Sequence, residues 1–213
     1  MRLDPRYLAF AFHEGAIELP EGVGAGVLVH RPIGSLDLPS GRLVACDPFV
    51  FAGNTDPFLV TLPSGPYAIV LVVLQMATDQ RVAFARLDVS PGRAERWEMM
   101  TVVGQDLATL APEEFFGYGV DSGTGGFADE AAMAELSRLM EGGEEYFEKI
   151  YAEMMKTYVD TWSWIDWRLP SGGNVMAFSS GWGDGAYPTY VAYDSSGQIV
   201  SVVTDFLVLD DIS

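Results

Sequence analysis

Three aspartates are the residues of this sequence best suited to chemistry: Asp121, Asp184 and Asp205. Two neighbouring carboxylates can act as the acid and the base of a hydrolase, and several converging carboxylates can hold Ca²⁺ or Mg²⁺. Asp121 lies in a glycine-rich loop and Asp184 in a predicted turn, where aspartate is also common for backbone reasons. Asp205 is on a predicted strand, so its carboxyl is either exposed or buried with a partner or a shifted pKa.

The sequence lacks the short motifs of the familiar enzyme classes. It contains no HExxH, CxxC, P-loop or GxSxG sequence. His13 and His30 are the only histidines, so a histidine-based triad would depend on one of them. The amides of Gly123-Thr124-Gly125 could bind an anion, but the neighbouring acids Asp121 and Asp129 disfavour it. We therefore expect no cofactor, and a divalent cation is the one exception that the carboxylates leave open.

Aromatic residues are concentrated between the predicted helices and the last strands. Beside glycine loops and acids they can form a platform for a sugar or a cation, but they would equally fill a core. The Gly117–Gly126 loop and the Trp182–Tyr190 hairpin both combine glycines with an acid and aromatics, so we predict that any site lies where they meet. Two independent surface turns would explain the same pattern. The candidate site residues are Asp121, Thr124, Trp182, Asp184, Tyr187 and Asp205.

The elements that must position these residues are mostly strands. The apolar run Tyr67–Met76 predicts a strand that is buried on both faces. Arg81–Val89 alternates in polarity, with Arg86 expected to point outward. From Val44 to Val103, turn signals recur at short intervals, which is typical of a β-sandwich or a curled antiparallel sheet. The five glycines of Phe115–Asp129 indicate backbone freedom or a close approach of neighbouring groups, and not regular structure.

Helices are predicted in two places. Asp4-Pro5 predicts the start of a short N-terminal helix that runs through Phe12. Asp129 is predicted to cap a helical hairpin over about residues 129–158, which Gly142-Gly143 divides. Asp184-Gly185 is a favoured hairpin turn, so the strands from residue 174 to 209 are predicted to form a C-terminal β-meander.

The predicted fold is α+β. It consists of an antiparallel β-sheet or sandwich, a helical hairpin packed on it and the C-terminal meander. We expect a single globular domain over residues 1–213, because the chain is long enough to bury one sizeable core and no Pro/Ser-rich linker divides it.

Charge and composition restrict the partners. The 30 acidic and 12 basic residues give a net charge of −18. Such a surface repels phosphate backbones, which excludes nucleic acid as a partner, and it attracts basic partners, although acidity could serve solubility alone.

The single cysteine, Cys46, fits a reducing compartment. The N-terminus lacks an apolar leader, and the longest apolar run, Ala68–Leu74, is far shorter than the ~20 residues that cross a bilayer. We therefore expect a cytoplasmic protein without membrane contact.

Five segments carry a resemblance to a known family. They are Leu38–Pro48, Arg81–Ala83, Tyr118–Gly125, Ser179–Tyr190 and Val203–Phe206. In this order, and over most of the chain, they resemble the domain of unknown function 4241, an uncharacterised and mostly bacterial family. Gly126 and Val191 depart from the family pattern, in which a cysteine and a bulkier aromatic are common. The resemblance implies one domain and no mechanism, because the family carries no established activity.

Together these features predict an acidic binding or interaction protein whose partner is a basic protein, such as a toxin that it neutralises. The alternative is a carboxylate- or metal-dependent hydrolase with its site between the 117–126 loop and the 182–190 hairpin. The two classes differ in one structural feature: an enzyme requires the three aspartates to lie together in a cleft, whereas a binding protein does not.

Overall fold

The described part of the chain consists of thirteen strands, three α-helices and three short 3-10 helices. The computed structural model describes residues 5–19 and 25–210. The strands are β1 Gly15–Glu18, β2 Ala25–Leu38, β3 Leu43–Cys46, β4 Gly65–Gln75, β5 Gln80–Asp88, β6 Arg96–Met99, β7 Tyr118–Val120, β8 Thr124–Asp129, β9 Trp164–Arg168, β10 Asn174–Ser179, β11 Gly185–Tyr187, β12 Thr189–Tyr193 and β13 Ile199–Asp205. The α-helices are α1 Pro5–Leu8, α2 Glu130–Met140 and α3 Glu144–Met154, and the 3-10 helices are Ala9–Phe12, Leu107–Thr109 and Met155–Thr157.

The strands form three antiparallel sheets. The large sheet has seven strands in the order β1-β2-β4-β5-β13-β12-β6, and the small sheet has four in the order β3-β8-β10-β9. The third sheet is a two-stranded ribbon of β11 and β7. Antiparallel sheets with two longer helices confirm the predicted α+β fold.

The small sheet lies between the large sheet and the helices. Successive side chains of a strand point to opposite faces, and in β10 Met176 and Phe178 join the core shared with the large sheet. Val175 and Ala177 join a second core that contains residues of α2 and α3. The three layers are therefore the large sheet, the small sheet and the helical pair.

The helical pair follows the sequence prediction. The Asp129 carboxylate caps α2 by accepting a hydrogen bond from the Ala131 amide, and Gly143 precedes α3. Asp129 is itself buried, and its other oxygen accepts hydrogen bonds from the amide and hydroxyl of Ser40. The cap thus also ties the helix to the turn before β3. No helix among residues 5–19 and 25–210 is long and apolar enough to cross a membrane.

The N-terminal half largely matches the predicted strands, with one error. The predicted strand Tyr67–Met76 corresponds to β4. The predicted N-terminal helix runs through Phe12 as α1 and a 3-10 helix, although Asp4 lies outside the described residues.

The outward orientation predicted for Arg86 is wrong, because only 8% of this residue is exposed. The 3-10 helix covers that face of β5, and the guanidinium binds Asp88 and the Ala11 carbonyl.

The expectation that Phe115–Asp129 lacks regular structure is also wrong. The segment forms β7 and β8, and β8 lies in the interior of the small sheet between β3 and β10. Its glycines allow close contacts inside the sheet. A Cβ atom on Gly125 would lie 2.7 Å from the Tyr118 hydroxyl, and one on Gly126 would lie 3.0 Å from the Met176 carbonyl oxygen.

The turn predicted at Asp184-Gly185 differs as well. Gly185 begins β11, which pairs with β7 and not with β10. The positive φ angles of this turn fall on Gly181 (47°) and Gly183 (113°), which therefore carry the change of direction. A further turn, at Asp194–Gly197, connects β12 to β13, and these two strands pair in the large sheet.

Candidate functional site

The two glycine-rich segments that the sequence singles out are in contact. They pair as the ribbon of β7 and β11, with Tyr118 opposite Tyr187 and Val120 opposite Gly185. Beyond the ribbon, the Ser180 amide donates a hydrogen bond of 3.1 Å to the carbonyl oxygen of Gly123. The contact between segments more than sixty residues apart is therefore part of the fold.

Asp121 and Asp184 lie at the same end of this ribbon. Asp121 follows Val120 and Asp184 precedes Gly185, which are the last pair of the ribbon, and both acids are exposed. One oxygen of the Asp184 carboxylate accepts a hydrogen bond of 2.9 Å from the Gly123 amide. The position of Asp184 thus has a structural explanation, because its side chain joins the two segments.

Asp47 fixes the loop that contains Asp121. It is fully buried, and one of its carboxylate oxygens accepts hydrogen bonds from the amides of Asp121 (3.0 Å) and Ser122 (2.7 Å). The other oxygen accepts from the Phe49 amide at 2.9 Å. The sequence indicates only a turn before Pro48, because the partners in the loop are more than seventy residues away.

Asp205 has a different environment from the other two aspartates, because it is buried whereas they are exposed. The preceding residue, Thr204, is hydrogen-bonded through its hydroxyl to Thr189, which lines the cavity described below. Because side chains alternate along a strand, Asp205 points to the other face of the large sheet. Its carboxylate accepts a hydrogen bond from the Leu207 amide at 2.8 Å, and burial raises the pKa of Asp205 to about 7.

The remaining candidates have separate environments. Thr124 is buried, and its hydroxyl faces the Ser122 carbonyl oxygen at 3.4 Å. Trp182 is 40% exposed, and the Arg81 guanidinium lies 4.8 Å from the centre of its ring. Tyr187 is buried and donates a hydrogen bond to the Gly183 carbonyl oxygen at 2.8 Å. Tyr187 also lines a cavity, which is described next.

A cavity of about 330 Å³ adjoins the Tyr118–Tyr187 end of the ribbon, and we call it the ribbon cavity. Its walls come from β3 and the loop after it, from the segment after β6, from Gly117 and β7, and from the junction of β11 and β12. Five aromatic residues line it: Phe51, Phe58, Phe116, Tyr118 and Tyr187. Among the described residues in its walls, Asp56 is the one charged side chain. The cavity can therefore hold an apolar or aromatic group, and it favours positive charge.

The described residues do not assemble a metal centre from these acids. No group of three or more histidine, cysteine, aspartate or glutamate side chains within residues 5–19 and 25–210 is placed to hold a metal ion. Cys46 is buried beside Met133, and burial raises the pKa of its thiol to about 12. A neutral, buried thiol is a poor nucleophile.

Gly117 is required for the close contact that closes one wall of the ribbon cavity. A Cβ atom on Gly117 would lie 2.8 Å from the backbone nitrogen and carbonyl carbon of Tyr187, which cannot move without displacing β11. We expect Gly117→Ala to lower the free energy of unfolding by about 2 kcal/mol, as in other overpacked sites. Urea unfolding followed by tryptophan fluorescence measures this change.

Gly65→Ala is the matched control. A Cβ atom on Gly65 meets no atom within 4 Å, and the residue has no positive φ angle. We expect this variant to be neutral or slightly stabilised, because alanine reduces the entropy of the unfolded chain. Equal losses in the two variants would refute the close-contact explanation.

Comparison with known proteins places the chain in a family. A family model described as "Protein of unknown function (DUF4241)" matches residues 36–204. The chain belongs to this family. The match includes β3, the ribbon, the loop fixed by Asp47 and all walls of the ribbon cavity. No curated protein and no solved structure matches the chain.

Proposed function

We propose that this member of the DUF4241 family is an acidic binding module whose partner is a basic protein. The observation that carries the proposal is the net charge of −18 together with the local pairing of the cations. The described residues contain these ion pairs: Arg42–Glu130, Arg81–Asp79, Arg86–Asp88, Arg96–Glu98, Lys156–Glu153 and Arg168–Asp37. Since acids outnumber bases by 30 to 12, this pairing leaves a large excess of negative charge for a partner.

The acidic excess is concentrated in particular stretches of the chain. The sequence contains no lysine, arginine or histidine between Arg96 and Arg138, and eight acidic residues lie there. The first two turns of α3 present Glu144, Glu145 and Glu148 on an exposed surface. Such regions accelerate association with a protein of opposite charge and disfavour partners of the same charge.

Neutralisation of a basic toxin in the bacterial cytoplasm is the role that best fits this proposal. A neutralising protein must cover a positively charged surface, and complementary charge gives fast association. The single, buried cysteine fits a reducing compartment. This role makes no demand on a catalytic centre, and it agrees with the different environments of the buried Asp205 and the exposed Asp121 and Asp184.

The test is a capture experiment at two salt concentrations. The immobilised chain is exposed to extract of the native host, and bound proteins are identified at low and at high salt. We expect a defined basic protein to bind at low salt and to be lost or weakened at high salt, because ions screen exposed charges over a Debye length of ~8 Å at physiological ionic strength. Immobilised polyglutamate of the same net charge is the control. A partner that also binds polyglutamate, or a complex that is indifferent to salt, would count against the proposal, as would recovery of no basic protein.

A carboxylate- or metal-dependent hydrolase between the 117–126 loop and the 182–190 hairpin is the weaker proposal. The contact between these segments favours it. Against it, the Asp184 carboxylate is already bound by the Gly123 amide, and Asp205 is buried whereas Asp121 and Asp184 are exposed. A divalent cation as its cofactor remains a prediction of this alternative.

A further inference from the structure

Every wall of the ribbon cavity comes from a stretch of sequence without cations. The cavity is lined by residues between positions 45 and 58, between 100 and 119, and at 187 and 189. Lysine, arginine and histidine are absent from residues 43–80, 97–137 and 169–213, which contain three, eight and five acidic residues respectively. The residues that line the cavity therefore carry one negative charge, at Asp56, and no positive charge.

The chemistry of the lining indicates which group the cavity would accept. Phe51, Phe116 and Tyr187 contribute aromatic surface, and the exposed Asp56 supplies a carboxylate. Aromatic faces attract cations, and an adjacent carboxylate adds a direct charge interaction. An organic cation with a flat or apolar body satisfies both features, whereas an anion satisfies neither.

We propose that the ribbon cavity receives an arginine side chain of a basic protein partner. This proposal rests on the proposed function, because it names the group through which the partner is anchored. A planar guanidinium stacks on aromatic rings and is more weakly hydrated than an ammonium group, so arginine fits this lining better than lysine. The volume of about 330 Å³ lies at the lower end of ligand pockets, which suits one side chain rather than a large ligand.

Exposed apolar residues beside the cavity favour a protein over a free small molecule. Val50, Leu59 and Val103 are 43%, 57% and 70% exposed, and each is the direct chain neighbour of a residue that lines the cavity. A bound protein could cover these side chains, whereas a small molecule inside the cavity would leave them exposed. An arginine anchored in a pocket and surrounded by apolar contacts is a common arrangement at the centre of a protein interface.

The first experiment locates the binding of a defined probe. The tripeptide acetyl-Gly-Arg-Gly-amide is titrated into the full chain, and chemical shifts are followed by NMR. The peptides with lysine and with the neutral isostere citrulline are the matched controls. We expect saturable shift changes at the ribbon cavity, including Gly117, Gly119 and Asp56, with the arginine peptide binding more tightly than the lysine peptide and the citrulline peptide not binding. Shift changes elsewhere, or equal responses to arginine and citrulline, would overturn the proposal.

The second experiment uses a pair of charge variants. Asp56→Asn removes the carboxylate of the cavity. Asp106→Asn removes an exposed carboxylate that lies in the cation-free stretch 97–137 but does not line the cavity. We expect Asp56→Asn to weaken the binding of the arginine peptide about fivefold, which is the effect of losing one ion pair at the surface. Asp106→Asn should change the affinity less than twofold. Equal effects of the two variants would show that the cavity is not the binding site.

The outcomes separate this proposal from the proposed function. If a basic partner is captured in a salt-dependent manner but binds Asp56→Asn and Asp106→Asn alike, the binding module stands and the arginine pocket falls. If methylguanidinium binds at the cavity more tightly than the arginine peptide and no protein partner is captured, the cavity binds a small cation. The proposal that it receives an arginine side chain of a protein is then refuted.

Discussion

Replacing Asp47 with alanine is expected to lower the free energy of unfolding by about 3–5 kcal/mol. The buried carboxylate accepts hydrogen bonds from three backbone amides, those of Phe49, Asp121 and Ser122. Alanine would leave these donors without their acceptor, and an unsatisfied buried polar group costs about 1–3 kcal/mol. Urea unfolding followed by tryptophan fluorescence measures the loss, since the chain contains five tryptophans.

Two further variants show whether the loss arises from these hydrogen bonds. Asp47→Asn retains one carbonyl oxygen for Phe49 but presents an NH₂ group to the amides of residues 121 and 122, so we expect an intermediate loss. Asp184→Ala removes an exposed carboxylate that accepts one hydrogen bond, from the Gly123 amide, so the free energy of unfolding is expected to fall by about 1 kcal/mol. If Asp47→Asn were as stable as the native chain, hydrogen-bond acceptance by both oxygens would not be the reason for the effect.

The fold class could be predicted because its main signals are local. The apolar residues of β4 identify a strand that is buried on both faces, and Asp129 with Gly142-Gly143 defines the two longer helices. These signals depend on side-chain polarity and on capping within a few residues. They establish which elements exist, but they do not determine which strands pair.

The errors share one physical cause, which is that they depend on distant parts of the chain. The glycines of β8 indicate backbone freedom when they are read locally, yet β8 pairs with both β3 and β10, and a Cβ atom on Gly126 would lie 3.0 Å from the Met176 carbonyl oxygen. The alternating polarity of β5 predicts that Arg86 points outward, yet the N-terminal 3-10 helix covers it. In each case the neighbour that decides the outcome is far away in sequence.

The candidate site was predictable to a similar extent. The sequence identified two segments that combine glycines, acids and aromatics, and the structure brings them together as the ribbon. It could not identify Asp47 as the residue that fixes the loop, because an aspartate before a proline is explained by a local turn. The ribbon cavity was not visible either, since its walls come from four separate parts of the chain. The roles of the candidate residues in binding remain predictions.

Asp205 illustrates an ambiguity that only the structure resolves. The alternation on its strand allows either an exposed or a buried carboxyl, and only 4% of the residue is exposed. Burial raises the pKa of this carboxyl to about 7, the Leu207 amide opposes the shift, and the nearby Asp210 adds to it. Burial is the main cause that raises the pKa of Tyr190, and the negative charge of the nearby Asp205 raises it further. Asp205 is therefore largely neutral below pH 7 in the folded protein.

Asp205→Asn is expected to be more stable than the native chain at pH 8. An unfolded aspartate has a pKa of about 3.9, so between about pH 4 and pH 7 the folded state binds a proton that the unfolded state has lost. The free energy of unfolding of the native chain consequently falls as the pH rises through this range. Asparagine stays neutral, and its carbonyl oxygen can accept the hydrogen bond from Leu207. The stability difference in favour of the variant should thus grow by about 2–3 kcal/mol from pH 5 to pH 8.

Urea unfolding of both proteins at several pH values tests this expectation, because the difference between them cancels the titration of all other groups. Asp194→Asn is the control: hydrogen bonds from Ser196 and Gln198 lower the pKa of the exposed Asp194, so this residue titrates below the range examined. Its stability difference from the native chain should stay constant between pH 5 and pH 8. A constant difference for Asp205→Asn as well would show that the buried carboxyl is already ionised at pH 5, and that burial does not control its proton.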